Sequence, residues 1–116
     1  MPTVLIVDDH AGFRFAARAI LEAEGLIVVG ESENGADAIA AVARLAPDLV
    51  LLDICLPDLD GIEVASRLTT ADRSLSVVLT SSRDAADYQP QLGSCGARGF
   101  IPKGELSGDA VVALAA

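Results

Sequence analysis

The chain has 116 residues, of which 52% are hydrophobic and only 3% aromatic, with no Trp; this favours a single domain with a core built from Val, Leu, Ile and Ala. Seventeen acids against eight bases give a net charge of −9, which argues against nucleic-acid binding by this segment, because phosphate contacts draw on Lys and Arg. Its apolar runs are far too short to cross a membrane, no basic stretch and apolar run mark a secretory leader, and Cys55 and Cys95 fit neither a metal spacing nor a disulfide framework, so a reducing, cytoplasmic compartment is expected.

Residues 3–7, TVLIV, form a short β-branched apolar run that predicts a buried strand. In 13–25, FRFAARAILEAEG, the spacing of Phe13, Ala16, Ala17, Ile20 and Leu21 predicts a helix with one apolar face, ending at Gly25. LIVVGES (26–32) reads as a second strand, and the Ala-rich ADAIAAVARLA (36–46) as a helix stopped by Pro47. DLVLLD (48–53) is a third strand, apolar on both faces. DGIEVASRLTT (60–70) predicts a helix with Ile62, Ala65 and Leu68 inward, Asp60 as N-cap and Glu63 as its capping-box partner. LSVVLTSS (75–82) is a fourth strand, 84–95 a weak helix, RGFIPK (98–103) a short fifth strand, and ELSGDAVVALAA (105–116) a last helix. Strands apolar on both faces and linked by helices imply a parallel α/β sheet covered on both sides, with right-handed connections. No repeat, low-complexity tract or linker divides residues 1–116.

The strand ends then fall in one row: Asp8 and Asp9 at the end of the first, Asp53 of the third, Thr80 of the fourth and Lys103 of the fifth. In sheets of this kind ligands bind at the carboxyl ends of the strands. Three carboxylates in one cleft repel unless a cation joins them, and oxygen-only ligands suit a hard ion such as Mg²⁺. Lys103 offers a point charge and Thr80 a hydroxyl to phosphoryl oxygens, which leaves one acid free as a nucleophile. That set suits phosphoryl transfer, where positioning and charge neutralisation carry most of the catalysis.

Taken together, VDDH (7–10), LLDICLPDLDG (51–61), VVLTSS (77–82) and GFIPKGEL (99–106) resemble the receiver domain of two-component response regulators over essentially the whole chain. The resemblance implies a flavodoxin-like, doubly wound, five-stranded parallel sheet of order 2-1-3-4-5. It implies Asp53 as phosphoacceptor and Mg²⁺ held by Asp9 directly, by Asp8 through water, by Asp53 and by the backbone carbonyl of Cys55. Thr80 matches the switch hydroxyl, Lys103 the family's lysine, and Phe100 the aromatic ring that turns inward on activation. A sensor histidine kinase is the implied phosphoryl donor and homodimerisation the implied readout, through the first and last helices or the fourth and fifth elements. On this reading the domain is no enzyme beyond its own phosphorylation and dephosphorylation. DDHAGFR, VVGESENGADAI and a Lys followed by a residue other than Pro are similar to the NarL subgroup, whose members usually carry a C-terminal helix-turn-helix domain, so the chain is either an excised or a stand-alone receiver.

Two features depart from the pattern. Pro90, Gly93 and Gly96 disfavour a regular helix in 84–95, so a short, kinked or mobile fourth helix is expected. Gly104 follows Lys103 where many receivers have a proline after a cis bond, and the Ile101–Pro102 bond is the expected place for an isomer. His10 reads as a surface residue at the start of the first helix, with a place lining the site as the lesser alternative. An aspartyl-nucleophile phosphohydrolase is a rival reading, but such enzymes want an acid where this chain has Cys55. A receiver-like module that is never phosphorylated is a second rival, and the intact acids, Thr80 and Lys103 count against it.

Overall fold

The computed structural model describes residues 2–82 and 95–115. Five parallel strands, β1 (Thr3–Val7), β2 (Ile27–Ser32), β3 (Leu49–Asp53), β4 (Ser76–Ser81) and β5 (Gly99–Pro102), form one sheet of order β2-β1-β3-β4-β5. Helices α1 (Ala11–Ala23), α2 (Gly35–Leu45), α3 (Gly61–Ala71) and α4 (Gly108–Ala115) are numbered over the described residues. The expected weak helix in 84–95 lies almost wholly outside them, and Cys95, its last residue, is buried.

Strand parity divides the core in two. Leu5, Val7, Val50, Leu52, Val77 and Leu79 face α2 and α3, where Ala38, Ala41, Val64, Ala65 and Leu68 cover them. Val4, Ile6, Leu49, Leu51, Val78 and Ile101 face the other way, onto Ala17 and Leu21 of α1 and Val111 of α4. β1, β3 and β4 are therefore apolar on both sides, as doubly covered parallel strands must be. β2 sits at an edge, and a bulge at Val29 shifts its register against β1 between Val4 and Leu5.

Helix ends follow local chemistry, with several departures from expectation. Asn34 caps α2 by accepting from Asp37 N at 2.8 Å, and the exposed Asp58 carboxylate accepts from Gly35 N at 2.7 Å and Ala36 N at 2.9 Å. These amide hydrogen bonds hold the Asp58 carboxyl below the usual carboxylate range. α2 stops in a left-handed turn at Ala46 (φ 47°), one residue before Pro47. Asp60 does cap α3, accepting from Ile62 N at 2.8 Å. Glu63 instead pairs with Arg67 one turn on, at 3.1 Å, so the i,i+4 ion pair replaces the expected capping box. α1 starts two residues earlier than its apolar spacing implied, and Ala16 on the expected inner face is exposed. A 3-10 turn, Lys103–Glu105, precedes α4, which starts at Gly108 after Ser107, whose Oγ accepts from Ala110 N at 3.1 Å. No cis peptide occurs among the described residues, the Ile101–Pro102 bond included.

One glycine is set by the backbone of β3. A Cβ on Gly61 would strike the Asp53 carbonyl oxygen and stand 2.6 Å from Ile54 Cα, while Gly61 N donates to Ile54 O at 2.8 Å. The first turn of α3 is thus pressed against the peptide that carries Asp53. Gly61→Ala should cost about 2 kcal/mol, read as an earlier midpoint in urea unfolding, whereas Gly104→Ala, with open space around its Cβ, should leave the midpoint nearly unchanged.

Candidate functional site

Parity explains why the polar strand ends meet. Asp8 continues the Val4–Ile6 row, Asp53 the Leu49–Leu51 row, and Thr80 follows Val78; all three rows belong to the α1/α4 face. Asp53 and Thr80 are register partners, so their side chains leave the sheet on the same side. Lys103 lies one residue beyond β5, two past Ile101 on that face. The C-terminal rim thereby becomes polar just where the apolar rows run out.

The residues expected there do converge. The Lys103 ammonium stands 2.6 Å from Asp8 Oδ2 and 3.4 Å from Asp53 Oδ2. Asp8 and Asp53 are 0% and 2% exposed, so their carboxylates have given up most of their water. Burial first, and then the charge of Asp8, push the Asp53 carboxyl above its ordinary range, against the pull of the Cys55 amide and Lys103. For Lys103, burial works against the charge, but the hydrogen bond to Asp8 and the charges of Asp53 and Asp8 outweigh it and hold the ammonium above its ordinary value. Lys103 is therefore a fixed cation between two buried anions.

Around this pair the other expected residues take distinct places. Asp9 lies at the mouth, its side chain about one-third exposed, with one oxygen 3.0 Å from His10 Nδ1. Cys55 is exposed, and its amide donates to Asp53 Oδ1 at 3.1 Å. Thr80 is 1% exposed, and its Oγ1 has no hydrogen-bond partner among the described residues. An orphan hydroxyl beside a buried carboxylate is costly, and it is a donor that an incoming oxygen would satisfy. Phe100 is half-buried and packs against the α2/α3 core, on the face opposite the carboxylates.

His10 takes the lesser of its two expected places, and Phe13 and Arg14 join the site without a sequence signal for it. His10, read as a surface residue, is exposed, yet its Nδ1 lies 3.2 Å from Asp8 Oδ1, and its amide donates to the same oxygen at 2.8 Å. Although it is the N-cap residue of α1, its side chain makes no cap bond. Phe13, the first inward ring of α1, presents its ring to the Lys103 ammonium at 4.6 Å, a cation–π contact. Arg14 fixes the same corner, donating to the Asp8 carbonyl at 2.6 Å and pairing with Glu31 at 3.0 Å. One donor atom each from Asp8, Asp9, His10 and Asp53 lie within 4.8 Å of one another. The cluster can hold a metal ion, and its carboxylates fit a hard divalent cation.

Known proteins with this arrangement are numerous. Residues 4–114 match the response regulator receiver domain family. BvgA of Bordetella pertussis is 40% identical over 102 residues, covering 88% of this chain and 49% of BvgA; the chain thus spans about half the length of that relative. The signal receiver domain of NarL from Mycobacterium tuberculosis superposes with a TM-score of 0.88 at 33% identity, covering 98% of this chain and 95% of that one. RcsB from Salmonella enterica, solved on the rprA promoter with the phosphomimetic BeF₃⁻, gives 0.85 at 27% identity over 99% of this chain and 66% of its own. The chain belongs to the response regulator receiver domain family of two-component signalling.

Proposed function

We propose that the domain is a phosphoacceptor switch in which a sensor histidine kinase phosphorylates Asp53. The observation that carries this reading is the convergence of Asp8, Asp53, Thr80 and Lys103 on one rim and one face, with the lysine already between the two buried carboxylates. An Asp53 carboxylate oxygen attacks the phosphorus of a phosphohistidine. The new O–P bond forms as the P–N bond breaks, and the departing imidazole nitrogen keeps the electron pair and is protonated from solvent. Asp8, Asp9, Asp53 and the Cys55 carbonyl would hold Mg²⁺, which supplies neutralisation of the charge that builds on the phosphoryl oxygens. Lys103 leaves its ion pair with Asp53 to meet one phosphoryl oxygen, and the unpartnered Thr80 hydroxyl donates to another.

The phosphoryl group adds nearly two negative charges beside Lys103, and this biases a pre-existing equilibrium between two surfaces. Thr80 and Phe100 are the residues we assign to that change, and dimerisation is its readout. Chain length relative to BvgA and the promoter-bound state of RcsB support a place within a longer NarL-like transcription regulator, in which residues 1–116 are one receiver and a separate domain meets DNA. With net charge −9, the receiver itself takes no part in that contact. No helix among the described residues is long and apolar enough to cross a membrane, and the proposed site of action is the cytoplasm.

Intact-mass measurement after incubation with a small acyl phosphate and Mg²⁺ should show one added phosphoryl group. The adduct should be absent without Mg²⁺ and absent in Asp53→Asn; an adduct that persists in the variant would move the acceptor elsewhere. Phe13→Leu removes the ring beneath Lys103, a contact worth about 1 kcal/mol. Phosphorylation should then slow by about fivefold while Phe13→Tyr stays near the parent rate, followed by the same mass assay over time. Because the Asp53 pKa is raised on folding, ionising it opposes folding above the ordinary carboxylate range and is neutral below it. In metal-free buffer Asp53→Asn should therefore raise the melting temperature at pH 7, and the gain should vanish as the pH falls below the usual aspartate pKa.

A further inference from the structure

The first turn of α2 draws its hydrogen-bond partners from two places. Its third amide, Asp37 N, goes to the local cap, Asn34 Oδ1, at 2.8 Å. The two amides before it go to Asp58, which lies 23 positions on from Gly35: Gly35 N donates to Oδ1 at 2.7 Å and Ala36 N to Oδ2 at 2.9 Å. Leu59 N also donates to Asp58 Oδ1, at 2.9 Å, so the carboxylate is set within its own loop as well. Gly35 makes the approach possible, since a Cβ there would stand 2.9 Å from Val64 Cγ2 and 3.0 Å from Leu59 Cβ. Water or a local side chain can satisfy the first amides of a helix. A carboxylate drawn from another loop satisfies them only by fixing where that loop lies.

That loop carries the peptide beside the phosphorylation site. At its base Ile54 N donates to Thr80 O at 3.0 Å, Gly61 N donates to Ile54 O at 2.8 Å, and Cys55 and Asp60 form an antiparallel bridge. Cys55, Leu56 and Pro57 connect this base to Asp58, and Cys55 N donates to Asp53 Oδ1 at 3.1 Å. We propose that Asp58, itself exposed, is a positioning residue for the rim. By bonding to the first two amides of α2 it sets where the Cys55 peptide stands against Asp53, and through that peptide it sets the affinity of the site for Mg²⁺. The inference rests on the reading of Asp53 as phosphoacceptor with Mg²⁺ held in part by the Cys55 carbonyl. A residue that orients a metal ligand from one layer out governs metal affinity by about tenfold or more.

The test is titration of the ¹⁵N-labelled chain with Mg²⁺ alone, with no phosphoryl donor, following the amide resonances of Asp9 and Asp53 in the parent, Asp58→Ala and Asn34→Ala. The second variant removes a hydrogen bond to the same turn of α2 and leaves the 54–60 loop untouched, so it reports what weakening α2 does by itself. Asp58→Ala should bind Mg²⁺ about tenfold more weakly than the parent, and Asn34→Ala should stay within about twofold, because a lost cap acts on the helix and not on the metal ligands. In metal-free buffer the Cys55 amide should exchange its hydrogen faster in Asp58→Ala and at the parent rate in Asn34→Ala. All titrations are run well below the lowest of the three melting temperatures, so that each chain is folded. Mg²⁺ affinity in Asp58→Ala within about twofold of the parent, or an equal loss in both variants, overturns the proposal and leaves Asp58 as a helix cap alone. A parent that binds no Mg²⁺ overturns the phosphoacceptor reading itself, and the proposal falls with it.

Discussion

Everything at the C-terminal rim depends on one unequal charge balance. Among the described residues, two buried carboxylates, Asp8 and Asp53, share the Lys103 ammonium, and a third acid, Asp9, stands at the mouth. At such separations like charges in a poorly hydrated place repel strongly, and a lysine that touches two of them can offset only part of that. The surplus negative charge makes the rim a place that gains from a cation. It also explains why ionisation of Asp53 is disfavoured: the carboxyl is buried and faces the charge of Asp8.

The sheet supplies the rigidity that this balance needs. β1, β3 and β4 are packed on both faces, so the strand ends cannot shift without disturbing a close-packed interior. Parity then does the sorting. The same alternation that sends Leu52 and Leu79 toward α2 and α3 sends Asp53 and Thr80 toward α1. Phe13 and Arg14 on α1 meet that polar corner from above, one through its ring and the other through the Asp8 carbonyl. Gly61 closes the opposite side by bringing α3 against the Asp53 peptide.

Much of this was legible in the residues. TVLIV and LVLLD read as doubly buried strands because they are short, apolar without alternation and bounded by Pro or Asp, and their ends place Asp8, Asp9 and Asp53 in a row. Lys103 and Thr80 carry weak signals alone and gain meaning through that row. Other features rest on information that periodicity does not hold. The imidazole of His10 turns to carboxylates because Asp8 accepts its amide, a bond between neighbours that spacing alone does not reveal. Phe13 reads as an ordinary core ring, and its cationic partner lies ninety positions away in sequence. Glu63 follows the capping-box spacing, yet Arg67 offered a better partner. The helix expected from residue 105 starts instead at Gly108, where Ser107 caps it by accepting from Ala110 N.

Asp58 gives the loop beyond Asp53 a second foothold. Its carboxylate grips the first amides of α2, across from the strand that the loop has just left, while Gly61 clamps the other end of the same loop to the β3 backbone. A short span tied at both ends behaves as a strut rather than a hinge. Displacement of the peptide at Asp53 would therefore be felt at the mouth of α2, on the side of the sheet away from the carboxylates. Because the Asp58 grip is exposed and ionic in character, its stiffness is set by the salt and acidity of the surroundings, so the mechanical coupling of the two faces is itself adjustable by solvent.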